Sequence, residues 1–350
     1  MEKILIFFSI GIGDALMALP SVREFVSGNE KEFYAFTLSP VVKEIAEKSC
    51  LFKKVFYIDF FGQNKIKSFL EILRIRKNRF EKGILLFPSN HFVYRIVLKL
   101  LCSGRLYFHQ YIRREKISLN FLASKTIEQS GKEHSTVENF KLLEAVFGIS
   151  KKRDYGLFLP GEVVRNKQNR FTIGIHAGSD TLKNLSCKRW PYFKELVAKI
   201  NEEADVDFYL FGNSSEYDLN DSIAEGFNNV FVVKEKKFFD SVGMISKCDI
   251  FISNDSGLLH TAAALSIPTI SIFGPTNEKY TAPLNKFSVV ITNNISCRPC
   301  YEYSKEMLVC KNTNKYECIR DISPDIVKLE FFNLFEELKK INLNGKDNLH

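Results

Sequence analysis

The sequence has no uncharged apolar run of the roughly 18 residues that a membrane-spanning helix needs, because Asp14 interrupts the one candidate near the amino terminus. It also has no Gly-X-Y period, no low-complexity tract and no internal repeat of roughly 20 to 50 residues, which excludes collagen-like and solenoid architectures. A secretory signal is missing as well. Lys3 does precede an apolar stretch at residues 4–10, but that stretch leads into Gly11, Gly13 and Asp14, a carboxylate is wrong for such a segment, and no small-residue cleavage site follows. Eight cysteines scattered through a chain of 350 residues without an export signal predict reduced thiols in the cytoplasm and no disulfide framework.

What is present is an ordinary globular composition, 45% hydrophobic and 26% charged, in a chain long enough for two domains. The charge is unevenly placed. Residues 1–150 carry 23 Lys and Arg against 15 Asp and Glu, whereas residues 151–350 carry 26 of each sign. Within residues 51–116 the imbalance is sharpest, 15 basic side chains against Asp59, Glu71, Glu81 and Glu115. Such a segment suits an anionic partner, a phospholipid, a phosphorylated glycolipid or a nucleic acid, and a solvated helix face is the plainer alternative.

Residues 4–8 form the short, wholly apolar run of a central parallel strand, followed by a glycine turn and then residues 15–26 at helical spacing. The strand, turn and helix pattern recurs at residues 33–38, 55–58 and 83–87, which is the logic of a parallel sheet. Residues 150–170 are basic, polar and broken by Pro160 and Gly161, as a linker would be. Beyond them the alternation restarts, with strands at 171–176, 207–211, 230–233, 249–253 and 269–273 and helices at 192–203, 215–226 and 258–265. Ser323 and Pro324 open a last helix over 325–341. The chain is thus an α/β protein of two doubly wound domains, residues 1–155 and 170–322. Residues 323–345 add a closing helix that could pack back on the first domain. Ligands belong at the carboxyl ends of the strands.

Gly11-Ile12-Gly13-Asp14 follows the first strand but is not a dinucleotide fingerprint, since the third glycine of that motif would fall at Leu16 and no acidic residue closes the second strand. The two glycines allow a close backbone approach to a ligand, and Asp14 either faces that ligand or caps the helix. Ser253-Asn254-Asp255-Ser256-Gly257-Leu258-Leu259-His260 joins a strand to a helix. Free amides at a helix start, with Gly257 removing any obstructing side chain, make an anion site to which His260 can donate; a simple cap at Asp255 or Ser256 is the alternative. Ile175-His176-Ala177-Gly178-Ser179 ends another strand, and Lys188 in Lys-Arg-Trp-Pro stands at a helix entrance where an ammonium can neutralise a pyrophosphate. Leu210-Phe211-Gly212-Asn213-Ser214-Ser215-Glu216 repeats the glycine turn and offers Glu216 to ribose hydroxyls. Cys297-x-x-Cys300 with Cys310 and Cys318 could hold a structural zinc or iron, or could be a reduced, metal-free loop.

Taken together, SIGIGDALMALP, IGIHAGS with KRWP, LFGNSSE, ISNDSGLLHTAAALSIPTISIFGPT and the closing Cys-x-x-Cys through RDISPD resemble the heptosyltransferase-type enzymes of glycosyltransferase family 9. The resemblance covers both ends and nearly all of the second half, while residues from about 40 to 150 show no motif that can be named. The resemblance implies a GT-B fold of two facing Rossmann-like domains with an interdomain cleft, the acceptor on the first and the nucleotide-sugar on the second. It implies inverting, metal-independent transfer of heptose from ADP-heptose to a lipopolysaccharide or lipooligosaccharide inner-core acceptor, with no cofactor required. The enzyme would be cytoplasmic and peripheral to an anionic inner membrane. By the same resemblance Asp14 is the base and Gly11 and Gly13 line its loop. Lys188 meets the donor phosphates and Glu216 the ribose. Asp255, Ser256, Gly257 and His260 hold the pyrophosphate and sugar, and Ser179 and Thr276 complete the donor site. The interval from His176 to Lys188 is longer than in the family, with residues 181–185 as an insertion. Another surface glycan or a protein hydroxyl is the alternative acceptor. A nucleic-acid module using residues 51–116 fits poorly, because Phe52, Phe56, Phe61, Phe69, Phe80 and Phe87 sit at core-like spacing and not as stacking platforms.

Overall fold

The computed structural model describes residues 1–8, 11–60, 62, 64–89, 91–111, 119–129, 131–150, 153–161, 170–179, 187–301 and 309–346, the last five as backbone only. Most of the expected linker and the inserted residues 181–185 lie outside the described residues. Among the described residues, 1–161 form one compact unit and 170–346 the other, apart from Lys279–Thr281, which clusters with the first.

In the first unit the strands are β1 (Lys3–Phe7), β2 (Glu32–Thr37), β3 (Lys54–Tyr57), β4 (Lys82–Leu85), β5 (Arg105–Gln110) and β6 (Lys125–Glu128). Between and after them run α1 (Ile12–Val26), α2 (Pro40–Lys48), α3 (Lys65–Arg76), α4 (Phe92–Leu101) and α5 (Ser135–Phe147). The sheet order is β3-β2-β1-β4-β5-β6, and every pairing is parallel. β1 is central and buried at every residue after Lys3, as its unbroken apolar run requires. On one face Leu5 and Phe7 join Phe36, Ile72, Leu98 and Phe108 in a single core.

The second unit repeats the winding. β7 (Phe171–His176), β8 (Val206–Leu210), β9 (Val230–Val232), β10 (Ile250–Asn254), β11 (Thr269–Phe273) and β12 (Ser288–Thr292) alternate with α6 (Phe193–Asn201), α7 (Tyr217–Ala224), α8 (Phe238–Ile245), α9 (Gly257–Ala264) and the short α10 (Glu278–Thr281). After β12 come α11 (Glu317–Arg320) and α12 (Pro324–Lys346). The order β12-β11-β10-β7-β8-β9, again all parallel, is the first unit's order read from the opposite edge. Each sheet therefore has one topological switch point, between β1 and β4 and between β7 and β10, and ligand crevices form outside the carboxyl ends of such strand pairs.

Among the described side chains α12 packs on the core of the second unit. Val327, Phe331, Leu334 and Phe335, spaced to share one helix face, are buried in the second core with Leu196 and Ile200 of α6. β5, β6, β12 and α8 were not expected at all. β6 and β12 are edge strands with a single neighbour, and β6 is nowhere buried, so neither needs the continuous apolar run that marks a central strand.

Candidate functional site

In the first unit the chain leaves β1 and enters α1 at the switch point. Gly11 is the N-cap of α1 and has no side chain to cap with, so Asp14 stands at the third helical position, in the first turn. A carboxylate there is stabilised by the positive end of the helix. A Cβ on Gly11 would lie 2.5 Å from Asp14 Oδ2, so the glycine makes room for the carboxylate to fold back over the helix start. Asp14 is half-buried. Burial raises the phenol pKa of Tyr94 on α4, and the negative charge of Asp14 raises it further. Tyr94 in turn meets Phe7 of β1 edge to face, with ring centroids 5.7 Å apart.

In the second unit the expected donor residues converge on the edge where β7 and β10 end. Lys188 Nζ is 2.9 Å from Asp255 Oδ2, and His260 Nε2 is 3.9 Å from Asp255 Oδ1. Burial works against ionisation of Asp255, but the Lys188 ammonium and His260 outweigh it and hold the carboxyl well below the usual range. Ser256 is the N-cap of α9, its Oγ accepting from Leu259 N at 3.3 Å. The same hydroxyl is 2.9 Å from His176 Nδ1, and His176 Nε2 is 3.4 Å from Glu216 Oε2. The amides of Gly257 and Leu258 then remain at the head of the helix, where an oxyanion is stabilised both by N–H donors and by the dipole.

Glu216 is 2% exposed and more engaged than a simple ribose acceptor. Arg189 donates to its Oε1 at 3.3 Å, and the amide of Asn213 to its Oε2 at 3.0 Å. Burial raises its pKa, but His176, the Asn213 amide and Arg189 together bring it below the ordinary glutamate value. Arg189 also donates to the carbonyl of Ser179 at 3.1 Å, tying that buried residue to the same group. Thr276 stands beyond β11, its carbonyl accepting from Arg298 at 3.2 Å while its buried hydroxyl has no partner among the described residues.

The structure thus brings Ser179, Lys188, Glu216, Asp255, Ser256, Gly257 and His260 together and adds three residues that were not singled out as site residues. His176 bridges Ser256 and Glu216. Arg189 bridges Glu216 and Ser179. Asn254 accepts from Trp190 N at 2.9 Å and donates to the carbonyls of Ala177 and Gly178, so it clamps the loop after β7 to the end of β10. The available signal was a polar residue at the carboxyl end of a mostly apolar strand, which describes both His176 and Asn254.

The four cysteines are less ordered as a site. Among the described residues no three His, Cys, Asp or Glu side chains converge as a ligand set. Asn312 Nδ2 donates to Cys297 Sγ at 3.5 Å and Tyr316 N to Cys310 Sγ at 3.4 Å. Burial, with Cys300, Cys310 and Cys297 nearby, pushes the Cys318 thiol up to about 12. Cys187 lines a cavity of about 250 Å³ with Tyr316 and Ile319, next to this segment.

Two Rossmann-like sheets, one with a carboxylate at its switch point and the other with a cationic helix-start cradle, define a glycosyltransferase of the GT-B type. The model of glycosyltransferase family 9 (heptosyltransferase) matches residues 95–310. The chain belongs to that family. It is 24% identical over 350 residues to lipooligosaccharide heptosyltransferase 2 of Campylobacter jejuni, covering 95% of this chain and 98% of that one. Among solved structures it superposes on the E. coli ADP-heptose lipopolysaccharide heptosyltransferase II with a TM-score of 0.69 at 18% identity, covering 97% of this chain and 100% of that one. For a family 9 glycosyltransferase of Veillonella parvula the TM-score is 0.78 at 18% identity, over 96% and 98% of the two chains.

Proposed function

We propose that this enzyme transfers heptose from ADP-heptose to an inner-core sugar of a lipopolysaccharide or lipooligosaccharide, with inversion, at the cytoplasmic face of the inner membrane. The observation that carries the reading is the group of Lys188, Asp255 and His260 beside the capped start of α9. Leaving ADP accumulates charge on its β-phosphate, and an ammonium with two helix-start amides supplies what that charge needs. Asp255 is itself an anion and does not bind phosphate directly. It fixes the ammonium and His260 in position and keeps acceptor capacity for a sugar hydroxyl. Glu216 likewise keeps lone pairs for a ribose while it organises Arg189 and His176.

A sugar hydroxyl is a weak nucleophile at neutral pH. Asp14 takes its proton as the hydroxyl oxygen attacks the anomeric carbon and the bond to the β-phosphate breaks on the opposite face, which inverts the configuration. A positioned base of this kind contributes roughly 10² to 10⁴ in rate. The test is release of ADP from ADP-heptose in the presence of a panel of truncated core acceptors. Asp14→Ala is expected to lower turnover by at least about 10² while ADP affinity stays within about twofold. Turnover above roughly a tenth of wild type would make Asp14 a helix-start charge and nothing more.

The same proposal includes a structural zinc or iron at Cys297, Cys300, Cys310 and Cys318. It is supported by the Cys-x-x-Cys spacing and by four thiols within one short segment, which would have to close up around the ion. No step of the transfer runs through it. Elemental analysis of the purified chain is expected to find about one metal per chain, bound as tetrahedral thiolate sites are. Less than about a tenth of an equivalent overturns the site.

A further inference from the structure

Helix α3 carries two apolar stripes where a surface helix needs one. Ser68, Ile72 and Ile75 form the buried stripe, and both isoleucines belong to the first unit's core. Ile66, Phe69, Leu70 and Leu73 form the second, at the i, i+3, i+4, i+7 spacing of a single helix face, and they are between 41% and 69% exposed. Large apolar side chains exposed one at a time are commonplace, but four on one face mark an interaction surface.

The charges around the stripe identify the partner. At 100° per residue, Lys67 and Arg74 fall along one flank of the outer face and Lys65 along the other, while Lys77 continues it at the carboxyl end. All four are exposed. Glu71 is the one acidic residue in α3, and it is half-buried toward the inner side. Arg76 is turned inward, donating to the carbonyls of Lys99 and Leu100 at 3.0 and 2.8 Å. A flat apolar strip bordered by long cationic side chains repels a second copy of itself and matches a bilayer of anionic lipid. Rings and aliphatic chains enter the acyl boundary, and the ammonium and guanidinium groups extend to the phosphates.

We propose that α3 is the membrane-docking element of this enzyme, lying in the plane of an anionic bilayer with Ile66, Phe69, Leu70 and Leu73 immersed. The proposal deepens the reading of a lipid-linked acceptor and rests on it for its purpose, but its test involves no transfer. The full chain is mixed with vesicles of phosphatidylcholine alone or with phosphatidylglycerol, and the bound fraction is read by flotation. Wild type is expected to bind the anionic vesicles and to dissociate as salt rises, because exposed charges are screened.

Phe69→Ser/Leu70→Ser/Leu73→Ser should weaken that binding roughly tenfold or more. Lys65→Gln/Lys67→Gln should weaken it by about fivefold per cation, and on anionic vesicles only. Both variants are expected to keep the wild-type melting temperature and ADP affinity, since none of these side chains is in the core or the donor cradle. Failure of wild type to bind anionic vesicles at low salt overturns the proposal, and so does equal binding by the apolar variant. Light scattering is the further control. A dimer that the apolar variant abolishes, with no vesicle binding by either protein, assigns the stripe to a contact between copies and also overturns it. Absence of heptosyl transfer with vesicle binding intact would instead remove the proposed reaction and leave α3 as assigned.

Discussion

Gly178 carries a constraint that its residue type alone would not reveal. A Cβ there would lie 1.8 Å from Glu216 Oε1 and 2.3 Å from its Cδ, so an added methyl has to displace a carboxylate that is buried and held by His176, Arg189 and the Asn213 amide. Gly178→Ala is therefore expected to cost about 1–3 kcal/mol of stability, the range of an overpacked interior, as measured by denaturant unfolding. It should also weaken ADP binding, because Arg189 and Ser179 move with Glu216. An alanine variant of unchanged stability and affinity would mean that Glu216 is not fixed where it stands. At this scale the sequence was informative about membership and candidate roles and silent about which side chains meet. Lys188, Asp255 and Glu216 could be picked out as polar groups at strand ends, but the 2.9 Å pairing of Lys188 with Asp255 depends on residues 67 positions apart meeting at one sheet edge. No local pattern encodes that meeting.

Among the elements, α9 shows how a short helix is made to start in one place. Ser256 caps it and contacts both His176 and, at 3.0 Å between hydroxyls, Ser253. Ser256→Ala should cost about 1 kcal/mol through the cap, whereas Ser256→Gly should cost a few tenths there. Both substitutions remove the His176 contact, so the difference between them in thermal unfolding isolates the cap. Equal losses would assign the effect to His176 instead. The central strands were legible for the same reason that they are central. β1, β7, β10 and β11 are buried at nearly every residue and read as short runs dominated by Ile, Leu and Phe, with only small polar side chains or a closing His or Asn between them. The outer face of α3 was legible only as composition. Its cations were counted within residues 51–116, but Phe69 was assigned to core-like spacing, because a helix with two apolar stripes has a periodicity that does not say which stripe faces inward.

For the molecule as a whole, the excess of basic residues in the first half acquires a location. The exposed cations of α3 account for part of it, and Arg76, paired with backbone carbonyls, shows that not every basic side chain is available to a partner. Residues 113, 114 and 116, counted in the same segment, lie outside the described residues. Family motifs were legible mainly in the second half, whereas the family match that begins at residue 95 rests in the first half on residues in which no short motif stood out. The repeated winding explains how both conditions can coexist in one chain. Because the same six-strand order is laid down twice, each half carries its own ready-made notch, and the two reactants of a transfer need not compete for a shared recognition surface. In the proposed reaction, selection would then be able to retune the recipient of the sugar through one half and leave the grip on the departing nucleotide in the other untouched.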